Sequence, residues 1–330
     1  MTKTPDRNTG LLVIGAGMAG LSAATAALKV GRTAIVIDKG RGVGGRMATR
    51  RIGEATFDHG AQFVTTRDPL FAKVLEAARS AGAATEWCRG FDAAADGHPR
   101  WRGKPGMSAL AKHLAAGLEI VQEKQAAALR RAGEHWLVEM TDGEVWSAGA
   151  VILTAPVPQS LVLLKAGGIG LPAEMETRLS AIHYERCLAV MAVLNGPSRL
   201  PKPGGFAPAG GPIAWLADNQ IKGVSTVAAV TIHASHAFSV EHWDSDRNET
   251  ARLLLGAAAE WLGAEVESFQ VHGWRYSKPL QMDVEPCAVV YSKPPLVLAG
   301  DAFAGPRVEG AALSGWAATA AVLALQPGAR

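Results

Sequence analysis

An α/β fold is predicted by three observations. A strand–turn–helix–strand unit occupies residues 11–38 and a strand–turn–helix unit closes the chain at about 296–325. Between about 160 and 285 the composition changes to Pro/Gly-rich loops that alternate with strand-like runs. The two ends predict a parallel, Rossmann-like sheet assembled from discontinuous segments, and the middle predicts an inserted α+β domain carrying a mostly antiparallel sheet. The expected boundaries are 8–66, 101–160 and 286–330 for the Rossmann-like domain and 67–100 and 161–285 for the inserted one. A chain of 330 residues is long enough for two such cores.

Each element has a local reason. Leu11-Leu-Val-Ile14 is a short apolar strand, followed by Gly15-Ala-Gly-Met-Ala-Gly20 and an Ala-rich helix to about Val30. Thr33–Ile37 is the second strand and ends at Asp38. Pro69 to about Ala81 has helical spacing in Leu70, Val74, Leu75 and Ala78. Trp87–Arg100 reads as irregular, and Ser108–Ala116 as a short helix with Ser108 as its N-cap. Glu119–Trp146 reads as a strand meander with turns at Ala132-Gly133 and Asp142-Gly143. Ala150–Thr154 is a buried strand stopped by Pro156 and Pro158. Strand-like runs follow at Leu188–Leu194, Val227–His233 and Phe269–Trp274, with a helix between about Ser245 and Leu262. Leu296–Ala299, the turn Gly300-Asp301 and a helix from Gly310 to about Leu325 complete the chain.

Composition excludes several classes. Apolar residues make up 48% and charged residues 19%, which is ordinary for a folded domain and unlike a disordered chain. Lys and Arg number 33 against 30 Asp and Glu, and no basic block stands out, so nucleic acid is not an expected partner. The apolar start is interrupted by Gly15, Gly17 and Gly20, and no other run approaches 20 apolar residues, so no membrane partner is expected. Cys88, Cys187 and Cys287 are far apart and form no CxxC pair. That argues against a disulfide framework or zinc site and for a cytoplasmic protein. His233 and His236 lack a third ligand, so no metal is expected, and the absence of a Gly-x-Ser-x-Gly elbow leaves a hydrolase unsupported.

The glycines carry the first functional signal. Gly15 permits a tight turn, Gly17 a close approach by a pyrophosphate, and Gly20 close packing of helix on strand; Met18 and Ala19 lie between them on the opening helix. A helix N-terminus with unpaired N–H groups favours phosphate, and Asp38 stands where an acid accepts a ribose hydroxyl. This unit alone suits either FAD or NAD. The loop that follows adds Lys39, Arg41, Gly44, Gly45, Arg46 and Met47, and its Gly-Gly-Arg resembles the second phosphate-contacting segment of flavoproteins of the amine-oxidase kind. In that superfamily an Asp placed like Asp301, after Gly300, meets the ribityl–phosphate part of FAD. A helix start like Val308-Glu309-Gly310-Ala311 faces the pyrimidine end of the flavin, where its dipole favours the reduced, negative form. Gly60, Ala61, Gln62 and Ala126 complete the expected cofactor-binding set, and the Rossmann-like domain is read as FAD-binding.

The resemblance is closer than the superfamily. Asp38–Met47, Asp58–Arg67, Arg100–Ser108, Trp215–Ala217, Ile232–Ser239, Trp274–Pro279, Gly300-Asp301, Arg307–Ala311 and Leu313–Gly315 together resemble the renalase family, its bacterial members above all, in the same order from about residue 10 to 325. The chain departs from that family at Phe63, usually Tyr, and at Phe238, usually Trp, which removes a phenol hydroxyl and an indole N–H. The resemblance implies oxidation of isomeric dihydronicotinamide dinucleotides, the 2- or 6-dihydro forms of NAD(P), to NAD(P)+. Hydride passes to flavin N5 and molecular oxygen is reduced to H2O2. Hydride loss makes an aromatic pyridinium, so no protein acid or base is obligatory and placement of a flat ring dominates.

The substrate-site candidates follow from position. Gln62 can bond a carboxamide or brace the flavin site, and His233 can contact substrate or be a satisfied core histidine. Trp274 and Tyr276, two apart on an expected strand, can wall a ring from one side or serve packing alone, and Trp215 is a weaker case of the same kind. Arg67 and Lys104 are surface charges or phosphate contacts. Cys287, in Glu-Pro-Cys-Ala, does not resemble a flavin attachment run, so FAD is expected to be non-covalent. A flavin amine or amino-acid oxidase or dehydrogenase on the same scaffold is the alternative, with the aromatic residues as an ammonium cage.

Overall fold

The computed structural model describes residues 4–91 and 96–326. In chain order its strands are β1 Arg7–Ile14, β2 Ile35–Ile37, β3 Thr49–Ile52, β4 Ala55–Asp58, β5 Ala84–Cys88, β6 Arg100–Gly103, β7 Glu119–Val121, β8 Ala126–Ala132, β9 His135–Met140, β10 Val145–Leu153, β11 Cys187–Leu194, β12 Gly205–Phe206, β13 Ile213–Asp218, β14 Ala229–Ala234, β15 Val266–Trp274, β16 Ala288–Ser292 and β17 Pro295–Leu298. The helices are α1 Met18–Lys29, α2 Pro69–Ser80, α3 Met107–Ala115, α4 Val157–Ala166, α5 Ala173–Ser180, α6 His236–Glu241, α7 Arg247–Ala257, α8 Ala259–Leu262 and α9 Val308–Leu325. The chain divides into two units, one of residues 1–45, 114–183 and 279–330 and the other of 46–113 and 184–278.

The first unit is built on a sheet ordered β16-β17-β10-β1-β2-β7, with β8 and β9 continuing from β10. Strands β17, β10, β1, β2 and β7 are mutually parallel, so their carboxyl ends share one edge. Strands β2 and β17, the Leu11–Val13 half of β1 and most of β10 are buried, which is why they read as short apolar runs without alternation; the edge strand β7 is partly exposed. Helix α9 lies against α1 at a glycine: a Cβ on Gly315 would stand 2.1 Å from the Ala19 carbonyl oxygen, and Thr319 Oγ1 donates to Ala23 O at 2.9 Å.

The second unit has a five-stranded antiparallel sheet ordered β12-β13-β14-β11-β15. Period-two alternation divides its faces. Leu188, Val190, Leu216, Val230 and Ile232 turn to a core shared with Ala251 and Leu254 of α7. On the other face Met191 and Ala229 pack against Ala55 and Phe57 of the β3–β4 hairpin. Asp68 caps α2 by accepting from Leu70 and Phe71 N–H, and Asp246 caps α7 in the same way.

The unit boundaries differ from the expected ones, for packing reasons. Residues 46–66 belong with the antiparallel sheet because their hairpin packs on it. Residues 101–113 join the same unit, since β6 pairs with β5 and the Met107 N–H is bonded to Asp58 Oδ1 at 2.8 Å. Residues 161–183 stay with the parallel sheet, α4 packing so closely on β8 that a Cβ on Gly167 would lie 1.6 Å from Leu129 O. Residues 279–285 do likewise, Asp283 N–H bonding Ala302 O at 2.7 Å.

Local expectations are corrected at four places. Trp87 and Arg100 belong to paired strands, not an irregular segment; residues 92–95 of that stretch lie outside the described residues. Helix α3 begins at Met107, and Asp58 from a distant strand takes the capping role expected of Ser108. The helix expected over 245–262 is two helices with Ala258 between them. Strand β15 ends at Trp274, so Tyr276 lies in the following turn and does not share a strand face with it.

Candidate cofactor and substrate sites

In the first unit three of the predicted cofactor segments lie at the carboxyl edge of the parallel sheet, whereas Arg46, Met47, Gly60, Ala61 and Gln62, predicted with them, belong to the second unit. Gly15 follows β1, Asp38 follows β2, and Gly300-Asp301 follows β17. Ligands of open α/β sheets bind at this edge. Gly15 has φ +113°, and a Cβ on Gly20 would lie 1.8 Å from the Gly15 carbonyl oxygen, so both positions exclude side chains. Gly17 differs: a Cβ there would meet nothing within 4 Å, which leaves open space before the α1 N-terminus. That N-terminus has no side-chain cap and no acidic residue in its first turn, as a phosphate cradle requires.

The acid and its loop are tied to this turn. Asp38 Oδ2 accepts from Ala16 N–H at 2.7 Å and Oδ1 from Gly40 N–H at 2.6 Å, which leaves a lone pair on each oxygen for a ribose hydroxyl. Gly44 N–H bonds Ala16 O at 2.8 Å and Gly17 bridges to Gly44, bringing the second glycine loop back to the first; Gly45 has φ +54°. Lys39 and Arg41 are exposed. Lys124 N–H donates to Asp38 O at 2.9 Å, which places Ala126, the first residue of β8, just beyond the same strand end. Asp301 is buried, and Gly300 N–H is held by Ser314 Oγ at 2.9 Å. Val308, Glu309, Gly310 and Ala311 open α9, and a Cβ on Gly310 would lie 2.2 Å from Gly305 O. These residues fit FAD.

In the second unit the loop after β4 is fastened across one face of the antiparallel sheet. The His59 carbonyl accepts from Trp274 Nε1 at 2.8 Å and bonds His233 Nε2 at 3.0 Å. The Asp58 carbonyl accepts from Thr231 Oγ1 at 3.0 Å and from Gln62 Nε2 at 2.7 Å. Gln62 Nε2 also reaches Gly60 O at 3.1 Å, and its Oε1 accepts from Lys222 Nζ at 3.3 Å. A Cβ on Gly60 would lie 2.0 Å from Arg46 O, and Ala61 N–H bonds that same oxygen at 2.8 Å. Met47 is buried, and Arg46 Nη1 donates to the carbonyls of Tyr276 and Ser277.

Beneath the loop lies a buried ion pair. Lys222 Nζ is 2.9 Å from Asp58 Oδ2, with both side chains wholly buried, and it also lies 4.9 Å from the Trp87 ring centroid. Asp58 Oδ1 accepts from Thr49 Oγ1 at 2.6 Å as well as from Met107 N–H. Burial pulls the Lys222 ammonium below its usual range, against the opposing pull of Asp58. His59 is lowered to about 3, by burial first and then by neighbouring His272 and Arg50. His233 is lowered to about 4, mainly by burial. With its proton on Nε2, a neutral His233 donates to His59 O.

The structure therefore gathers Gln62, His233 and Trp274 around one loop, with the Gln62 amide, His233 Nε2 and Trp274 Nε1 already engaged. Tyr276 is placed apart from them, its ring edge-on to Tyr184 at 5.7 Å. Trp215 packs with Phe63 and Phe91 at 6.0 and 4.8 Å. Phe238 lies in the first turn of α6, its ring tilted by 41° against His242 at 4.2 Å. Arg67 and Lys104 are exposed. Nothing in the sequence pattern singled out Lys222, Trp87, Phe91 or Arg102. One local signal was present: Asp218 Oδ1 accepts from Gln220 and Ile221 N–H, an Asx turn that precedes Lys222 in Asp218-Asn-Gln-Ile-Lys222-Gly.

A glycine-turn sheet with an acid at its second strand and a cradle fitted to FAD defines a flavoprotein oxidoreductase. Residues 13–78 match the NAD(P)-binding Rossmann-like domain and residues 86–323 match the flavin containing amine oxidoreductase family. The chain belongs to the flavin containing amine oxidoreductases; it is an FAD-dependent oxidoreductase. Among solved structures it is similar to a protein assigned as a protoporphyrinogen oxidase from Exiguobacterium sp. 255-15, at TM-score 0.73 and 13% identity over 98% of this chain and 100% of that one. Wild-type putrescine oxidase bound to putrescine is similar at TM-score 0.68 and 15% identity, over 96% and 99%. A CLA-producing fatty acid isomerase from P. acnes is similar at TM-score 0.66 and 14% identity, over 96% and 98%. At such identities the likeness is one of fold, and it spans relatives named for different reactions.

Proposed function

We propose that this chain oxidises isomeric dihydronicotinamide dinucleotides, as the renalase-like sequence blocks suggest. The observation that carries the reading is that the titratable side chains around the 58–64 loop are locked. Lys222 is paired with Asp58 and bonded to Gln62, and the low pKa values of His59 and His233 keep both neutral. Near neutral pH both imidazoles are unprotonated and only weakly basic, and the Lys222 ammonium is held in its ion pair. A reaction that removes no proton suits such a site, because loss of hydride from a dihydropyridine is driven by its own aromatisation. FAD, when bound, would supply the hydride acceptor and the outlet of the electrons to molecular oxygen. The residues of this chain hold the ring flat and exclude water, through the surfaces of Trp274, Trp215 and Phe63. FAD is non-covalent in this reading, since burial pushes the Cys287 thiol up, away from the nucleophilic thiolate. The near-balanced charge and three free cysteines suit the cytoplasm.

Oxidation of a free amine is the second reading. The family description favours it, and the four rings Phe63, Trp87, Phe91 and Trp215 are the material of an ammonium cage. Anaerobic mixing of the yellow holoenzyme with 2- or 6-dihydro-NAD(P), and separately with common amines, distinguishes the two. Bleaching of the flavin by the dihydronicotinamides alone is expected. Bleaching by an amine alone overturns the proposal in favour of the second reading.

A further inference from the structure

The aromatic cluster of the second unit contains a choice of ligand charge. Phe63, Trp87, Phe91 and Trp215 pack with neighbouring centroids 4.8 to 6.3 Å apart. A Cβ on Gly205 would collide with Phe91 and Trp215 at 2.8 Å, so that glycine makes room for the rings. Bare ring faces attract an ammonium, whereas indole and guanidinium N–H groups attract an acceptor.

Three features decide between these uses. Three of the four rings already carry one of the chain's own cations: Arg100 Cζ lies 5.8 Å from the Phe63 centroid and 6.0 Å from that of Phe91, and Lys222 Nζ lies over Trp87. The polar atoms left over are donors: Trp215 Nε1 and Arg100 Nε are buried with no acceptor among the described residues, and both residues border Phe63 and Phe91. Buried donors are almost always paired in native proteins, and an acceptor-bearing ligand is what these two lack. The local charge is also positive. Asp58 offsets Lys222 and Asp96 offsets Arg100, while half-buried Arg102, two residues from Arg100 on the same strand face, makes no ion pair among the described residues: it bonds Gly103 O and feels only Asp58, which is already paired with Lys222.

We propose that this cluster is the recognition site for a planar group that presents carbonyl or ring-nitrogen acceptors and bears no positive charge, such as a base of a dinucleotide, with Trp215 Nε1 and Arg100 Nε as its donors, and that it rejects ammonium groups. This rests on the dihydronicotinamide reading and assigns part of its specificity.

Calorimetric titration of the holoenzyme with nicotinamide and with benzylamine, two probes of similar size, tests the assignment without turnover. Nicotinamide is expected to bind about tenfold or more tightly than benzylamine. Trp215→Phe, which keeps a ring, weakens nicotinamide several-fold and leaves benzylamine unchanged; Arg100→Gln narrows the ratio from both sides. Benzylamine binding as tightly as nicotinamide, or both variants binding like the wild type, overturns the inference. If dihydronicotinamides still reduce the flavin in that case, this inference falls and the reading stands. If no dihydronicotinamide reduces the flavin but the probe ratio and variant effects hold, the reading falls and the site remains one for a different acceptor-bearing substrate.

Discussion

Lys222 has three N–H directions, and each meets a partner: Asp58 Oδ2, Gln62 Oε1 and the Trp87 ring. An ammonium so enclosed is a fastening for the 58–64 loop, not a proton carrier. Removing it leaves the Asp58 carboxylate buried and uncompensated, which typically costs 3–5 kcal/mol, roughly. Lys222→Met should therefore lower unfolding free energy in urea by about that amount, and adding Asp58→Asn should restore at least about 1 kcal/mol. A Lys222→Met protein within about 1 kcal/mol of wild type would show that the pair is not a fastening. This pair was not legible in the sequence, because its partners are 164 residues apart and the Asx turn before Lys222 marks a turn without distinguishing a buried lysine from a surface one. Gln62, His233 and Trp274 stand out in the sequence through their blocks, but the hydrogen bonds that occupy them do not.

At the scale of the element, the glycine turn was read closely from sequence because all its constraints are local: a buried strand, a positive φ, a close contact and a helix start lie within ten residues. The same geometry separates two glycines of one motif. Gly20 is excluded from bearing a Cβ by the chain itself, Gly17 only by what occupies the space before it. Gly17→Ala should keep the stability of the apoprotein within about 1 kcal/mol while losing most bound flavin; Gly20→Ala should lose both. Equal losses in stability, read from thermal unfolding of apoprotein, would contradict this division. Where constraints were not local the pattern misled. Strand β15 ends at Trp274, so period two could not carry over to Tyr276, and Asp58 reaches α3 from another strand to take the place expected of Ser108.

At the scale of the whole molecule, fold class was legible because strand and helix periodicities switch at both ends of the chain, while the unit boundaries were not. They are set by which sheet a hairpin or helix packs on, and the segments 46–66 and 161–183 carry no composition that announces it. The site's protonation also acts on the entire fold. His59 and His233 have folded pKa values of about 3 and about 4, below the ordinary 6.5, so between those limits the unfolded chain binds protons that the folded chain refuses. Stability accordingly falls as pH drops below about 6.5, and above that value these imidazoles do not change charge in the folded state. The central claim, that this flavoprotein works by placing a ring and not by moving a proton, is tested most directly by the rate of anaerobic flavin reduction by 2- or 6-dihydro-NAD(P) between about pH 6.5 and about pH 8. A rapid, pH-independent rate is predicted. A rate that rises or falls tenfold per pH unit, or no reduction at any pH, would contradict the account.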